Sequence, residues 1–273
     1  MNYFRRVASK TKQTLLSFIR HSPDFLIIGT QKSGTTSLYE YLKMHSRIIG
    51  PEDQQELHFF NLYYHRGLTW YLSHFPLRIK TFKKLAFEAT PDYIRHEKAP
   101  SRIIDELGKV KLILTLRDPV ERAFSAWKMW HSFKDDPEKA KRADYRTFSE
   151  AIHQELLSPD NQQDLHFHYL QKGRYVEQIE NYYKYFSKDD ILILDYQDMN
   201  DDLINYLNQI CQFLKIAPFP KEKSNSFTKN RHWVGPSWKV TADDKTTMKH
   251  LRDYYAPYNK RLFDLLGRRF DWD

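Results

Sequence analysis

The chain has 273 residues, 41% hydrophobic and 15% aromatic, enough for one large α/β domain with a substantial core. Its formal charge of +8 suits anionic partners, but the cations are dispersed without a polybasic run, which argues against nucleic acid as a partner. No apolar run reaches the roughly 18 residues of an integral membrane span, one cysteine excludes an internal disulfide framework, and no N-x-[ST] sequon asks for a secretory lumen, so a cytoplasmic protein is expected.

Residues 1–23, MNYFRRVASKTKQTLLSFIRHSP, carry Arg5, Arg6, Lys10, Lys12 and Arg20 and no acid before Asp24. This reads as a basic surface helix or extension ahead of a domain at 24–273. Its apolar residues are too few and scattered for an anchor, although peripheral membrane contact stays open. FLIIG at 25–29 reads as a buried strand. It feeds TQKSGTT and a helix at 35–45.

A triphosphate-binding loop would read G-x-x-x-x-G-K-[ST]. Gly29 and Gly34 keep that separation, but Thr35 holds the lysine position and Lys32 lies inside the turn. Amides from Ser33, Gly34, Thr35 and Thr36 would converge at a helix N-terminus, with the threonine hydroxyls as further donors. Each hydrogen bond to a charged oxygen contributes about 1.5 to 3 kcal/mol, so several together hold a dianion without magnesium. A plain glycine turn capped by threonine is the structural alternative.

Next comes QQELHFF at 54–60. By residue type alone Glu56 is a surface acid and His58 a satisfied polar residue. If the segment is extended, the two side chains share a face. LAFEAT at 85–90 and KLILTL at 111–116 read as further strands, with a helix at 99–107 between them. The second strand delivers Arg117 to its carboxyl end in LRDPVERAFSAW. Pro119 suits the first turn of a helix at 119–133, and Ser125 lies about two turns along it. The Arg117 fork suits a phosphate to which Ser125 can also donate; Arg117 could instead pair with Asp118 or Glu121.

Residues 133–169 are charged and weakly patterned, as expected of an excursion such as a partly helical lid or an acceptor-side loop. Helices at 174–186, 200–214 and 244–266 and a strand in DILILDY at 190–196 complete the pattern. Cys211 shares an apolar helical face with Leu207, Ile210 and Leu214 and reads as a core thiol. No histidine spacing, HFH at 166–168 included, makes a convincing metal site.

TQKSGTTSL followed by LRDPVERAFSAW resembles the sulfotransferase superfamily. ELHFF, RGLTWYLSHFP, EATPDYI, GRYVEQIENYYKYF and the final LRDYYAPYNKRLFDLLGRRFDWD are similar to its heparan sulfate, or glycosaminoglycan, branch. The likeness runs from Phe25 to Asp273, omitting much of 133–169. It implies a P-loop-like fold, with a central parallel sheet flanked by helices. It also implies 3'-phosphoadenosine 5'-phosphosulfate (PAPS) as co-substrate and no metal. The 5'-phosphosulfate would lie on Lys32, Ser33, Gly34, Thr35 and Thr36, and the 3'-phosphate on Arg117 and Ser125. Glu56 maps to the catalytic base, with His58 beside it, and Lys32 to the group that stabilises the departing bridging oxygen.

This chain departs from the branch in places. Ala89 fills a position where many relatives have lysine, and Asn61 one where some have an acid. With Cys211 alone, the disulfide-bounded cap over the nucleotide is absent, and NSFTKNRHWVGPSW at 225–238 occupies that region, where Arg231 is expected to reach the 3'-phosphate. The resemblance implies sulfuryl transfer to an acceptor hydroxyl of a carbohydrate, with a small natural product or glycolipid as the alternative acceptor. Two rival classes are a P-loop kinase using Asp195 as its magnesium-side acid, disfavoured by Thr35, and a non-catalytic binder of anionic glycans.

Overall fold

The computed structural model describes residues 19–158, 167–220 and 237–272. Contacts divide the chain into two compact units, one of Met1–Thr30, Gly34–Thr115 and Asn181–His232, the other of Gln31–Ser33, Leu116–Glu180 and Trp233–Asp273.

The first unit is built on a five-stranded sheet of β1 (Phe25–Gly29), β2 (Ile48–Ile49), β3 (Leu85–Ala89), β4 (Lys111–Leu116) and β5 (Ile191–Asp195), in the order β2-β3-β1-β4-β5. β1 pairs in parallel with β3 and β4, Phe25 lying opposite Phe87 on one side and Lys111 on the other, and β2 runs parallel to β3. Phe25, Leu26, Ile27 and Ile28 are all fully buried, which is why β1 is a continuous apolar run rather than an alternating one. The strand order reverses between β1 and β4, so ligand-binding turns are expected after these two strands. TQKSGTT and RDPVERAFS begin there.

Helices of this unit include α1 (Thr35–Lys43), α2 (Leu68–Leu72) and α3 (Ala99–Leu107). Leu38 and Leu42 of α1 pack with Phe25, Phe87 and Leu194 into the core, which also contains Cys211. Burial pushes the Cys211 thiol up to about 11, fitting a core thiol rather than a nucleophile.

The second unit is helical, built from α4 (Pro119–Ser132), α5 (Phe148–Leu157), the start of α6 (Tyr175–Tyr183) and, in chain order after α7 and α8 below, α9 (Ala242–Leu266). α4 begins where Asp118 accepts from the Val120 N–H at 2.7 Å, with Pro119 in the position that needs no donor. Its Phe124, Trp127 and Trp130 pack with Phe148, Ile152, Tyr169 and Tyr255.

One expectation needs correction. The helix at 200–214 is two, α7 (Tyr196–Asp201) and α8 (Leu203–Phe213), because the Asp202 carboxylate accepts from the Asn205 N–H at 3.0 Å and starts a new helix. Within 133–169, the expected helical part includes α5: a reciprocal Thr147–Glu150 capping box sets its start, and Phe148, Ala151 and Ile152 are buried in the core of the unit.

Candidate active site

Gly34 adopts φ 75° and ψ 15°, the left-handed region, and immediately precedes α1. A Cβ there would come within 2.2 Å of Met199 and 2.8 Å of Tyr196, so both backbone and packing require glycine. No side chain caps α1, so its first amides keep their donor capacity toward the turn. Of the residues expected to line it, Ser33 and Thr35 are buried while Thr36 is exposed.

In the second unit, Lys32 also takes a left-handed backbone, φ 73°, which is costly for a residue with a Cβ and typical of constrained functional turns. Arg117 Nη1 donates to the Lys32 carbonyl at 3.2 Å, so the lysine and arginine singled out from separate motifs meet directly. Arg117 Nη2 meanwhile donates to Glu121 at 3.3 Å, so the surface pairing also forms. The Lys32 ammonium approaches Met129 Sδ at 3.5 Å. Burial, then the charges of Arg117 and Lys128, pulls Lys32 down to about 8. Burial and Arg117 lower Lys128 as well. An anion held beside these cations would relieve their repulsion. Lys128 was not singled out from the sequence, yet it lies on α4 three residues beyond the half-buried Ser125 and so on the same helical face.

Glu56 Oε2 lies 3.1 Å from His58 Nε2, so the pair expected to share a face does meet. It does so without an extended backbone. His58 sits at φ 50° and ψ 27°, because its N–H donates to Thr90 Oγ1 at 3.2 Å and its carbonyl accepts from Leu62 and Tyr63 at 2.9 and 3.0 Å. Asn61 Oδ1 accepts from the Leu62 N–H at 2.9 Å, which aims the amide NH₂ at His58 Nδ1, 3.3 Å away. His58 therefore presents Nε2–H to Glu56. Burial lowers the His58 pKa, but the Glu56 hydrogen bond and charge, aided by Asp92 and Glu88, carry it above the ordinary value.

The residue hidden from sequence reasoning is Glu88. It is fully buried on β3, and its carboxyl accepts from Tyr71 at 2.7 Å, from Tyr93 at 3.2 Å and from Thr90. Thr90 in turn receives the His58 N–H and Tyr93 the Phe59 N–H, so Glu88 anchors the backbone that carries His58. Burial raises its pKa to about 7, partly offset by these hydroxyls. A raised carboxyl pKa contributes stability that is complete below the unfolded value of about 4.5 and lost as pH rises through about 7, amounting to about 3 kcal/mol. In Glu88→Gln the fall in melting temperature between pH 5 and pH 8 should shrink by the corresponding share. An unchanged pH profile would mean Glu88 does not titrate in this range.

Asp195, the acid required by a kinase reading, accepts from the Gln197 N–H at 3.1 Å and caps α7. Ala89, where the resemblance led to the expectation of a lysine, is fully buried on β3. Arg231 and His166 lie outside the described residues.

A profile described as a sulfotransferase domain matches residues 22–234. The chain is 34% identical over 268 residues to mouse bifunctional heparan sulfate N-deacetylase/N-sulfotransferase 4, covering 91% of this chain and 30% of that protein's length. To mouse heparan sulfate glucosamine 3-O-sulfotransferase 3B1 it is 28% identical, with 92% and 65% of the two chains covered. A sulfotransferase from Alicyclobacillus acidocaldarius has the same fold, with a TM-score of 0.71 at 23% identity over 92% of this chain and 98% of that one. A mouse sulfotransferase complexed with PAP gives a TM-score of 0.54 at 15% identity, over 93% of each chain.

Proposed function

Because the chain belongs to the sulfotransferase family, we propose that it moves a sulfuryl group from PAPS to a hydroxyl of a carbohydrate. What supports this reading is, in the first unit, a left-handed Gly34 before a helix without a side-chain cap and, in the second, Arg117 bonded to the backbone of Lys32. These residues suit a nucleotide with phosphate groups at two separate positions. In this reading Ser33 to Thr36 hold the 5'-phosphosulfate, while Arg117 and Ser125 hold the 3'-phosphate. Glu56 takes the hydroxyl proton as the acceptor oxygen bonds to sulfur. His58, held by Asn61 and the Glu88 network, keeps the carboxylate oriented. As the bond from sulfur to the bridging oxygen breaks, the electron pair stays on the 5'-phosphate, and the Lys32 ammonium stabilises it. Positioning and charge stabilisation would supply most of the catalysis. The heparan sulfate relatives support a glycan acceptor, and a charge of +8 favours an anionic one.

Labelled PAPS offered with a panel of polysaccharides should transfer label in excess chelator. Magnesium-dependent ATP turnover without PAPS turnover would instead establish the kinase reading. Arg117→Ala should weaken binding of 3'-phosphoadenosine 5'-phosphate by about tenfold to a hundredfold, the worth of one charged contact. It should leave binding of adenosine 5'-phosphate nearly unchanged. Equal losses for both nucleotides would remove Arg117 from the 3'-phosphate.

A further inference from the structure

The segment from Leu77 to Lys84 has no part in the reaction above, yet it is built unusually for a surface turn. Thr81 is buried and folds the segment back on itself: its hydroxyl donates to the Leu77 carbonyl at 3.2 Å, its N–H donates to Arg78 O at 3.0 Å, and Lys84 N–H donates to Thr81 O at 3.0 Å. Arg47 Nε ties the far side down by donating to the Lys83 carbonyl at 2.5 Å. With the turn fixed in this way, Ile79 is 87% exposed and Phe82 80% exposed, the two most exposed large apolar side chains among the described residues.

Cations surround these two side chains. Arg78, Lys83 and Lys84 belong to the same segment, RIKTFKK, which contains no acid and whose sequence adds Lys80. Arg47, bonded to the Lys83 carbonyl, is exposed as well, and the Lys83 ammonium lies 5.6 Å from the Phe82 ring centre. The basic N-terminal stretch enters the described fold at the same place. Arg20 forms an antiparallel bridge with Leu77, His21 N–H donates to Pro76 O at 2.9 Å, and the preceding Ile19 is half exposed. Two acids lie beside this entry point: Glu52, 3.9 Å from Arg20, and Asp53, which pairs with His74 at 2.8 Å.

We propose that the Leu77–Lys84 turn is a peripheral docking surface for an anionic lipid bilayer, with Ile79 and Phe82 entering the acyl boundary and Arg78, Lys83 and Lys84 resting on the headgroups. A soluble polyanion would use the cations but gain nothing from the apolar tips; a bilayer interface uses both. In the sequence, Arg5, Arg6, Lys10 and Lys12 precede Arg20.

Flotation of the full chain with vesicles of phosphatidylcholine containing about 30% phosphatidylserine tests this. The chain should float with these vesicles at low salt and stay behind with pure phosphatidylcholine. Ile79→Ser/Phe82→Ser should reduce the partition coefficient about tenfold or more, and Arg78→Gln/Lys83→Gln/Lys84→Gln about a hundredfold, with melting temperature unchanged in both. The proposal is overturned if the full chain does not float, if it binds both vesicle types equally, or if Ile79→Ser/Phe82→Ser leaves flotation intact. It also fails if Arg5→Gln/Arg6→Gln/Lys10→Gln/Lys12→Gln abolishes flotation while the turn variants do not. Conversion of a dimer to a monomer by Ile79→Ser/Phe82→Ser, without loss of flotation, would assign the surface to a second copy.

Discussion

Glu56→Gln should lower turnover by about 10² to 10⁴, the usual contribution of a positioned general base, with little effect on nucleotide affinity. The substitution keeps the size of the side chain but removes the acceptor for a proton. It also removes the charge that favours protonated His58, leaving the burial that disfavours it. The His58 titration, followed by NMR of its ring protons, should therefore move to lower pH in Glu56→Gln. Loss of turnover with an unmoved His58 titration would show that the 3.1 Å pair does not govern the histidine. Retention of turnover would remove Glu56 from the chemistry. Asn61→Asp would probe the same assembly from the other side. A carboxylate at Asn61 can no longer donate to His58 Nδ1 and would instead favour a proton there, so the His58 titration should rise.

Local signals made parts of this arrangement legible. The strands at 25–29 and 111–116 are apolar runs bounded by polar residues, and both appear with those limits. The helix at 99–107 appears unchanged because Pro100 lies in its first turn and Gly108 ends it at φ 71°. Gly34 was readable from its spacing with Gly29, and the left-handed turn against Tyr196 and Met199 explains why glycine stands there. Long-range features were not readable. β2 is two residues long and carries no periodicity of its own. Glu88 lies in LAFEAT, whose apolar neighbours announce a strand but conceal an acid; its hydroxyl partners come from Tyr71, Thr90 and Tyr93, and no sequence spacing announces that convergence. His58 looked extended because its neighbours Leu57 and Phe59 are apolar and alternate with it, whereas its N–H donating to Thr90 and its carbonyl accepting from the following turn hold a left-handed backbone. The start of α5 was legible in principle, since Thr147 and Glu150 stand at capping-box spacing, but the surrounding charges obscured it.

Lys32→Met should reduce turnover by about 10² to 10³, comparable to losing one preorganised donor at a developing oxyanion, and yet raise stability at neutral pH. Both effects come from the same crowding. Burial and the charges of Arg117 and Lys128 hold the lysine at about 8 in the fold, against 10.5 for an ordinary lysine. A lysine pKa depressed by folding costs stability whenever the group must be charged, so the penalty is absent above the unfolded value and grows as pH falls through about 8. Methionine fills similar space without the charge and should recover about 2 kcal/mol at pH 7, readable as a higher denaturation midpoint that converges with wild type at alkaline pH. The catalytic consequence has the opposite sign. In its proposed role Lys32 stabilises the bridging oxygen as an ammonium, so kcat/KM should fall as pH rises through about 8. The bound nucleotide polyanion favours the ammonium, so the corresponding limb in kcat should lie at higher pH. Lys32→Arg, charged throughout this range, should abolish the alkaline limb in kcat/KM even where its fork lowers the absolute rate. A limb that persists in Lys32→Arg belongs to another group, and a Lys32→Met chain less stable than wild type at pH 7 would mean that the ammonium is held by favourable contacts and not strained by its neighbours.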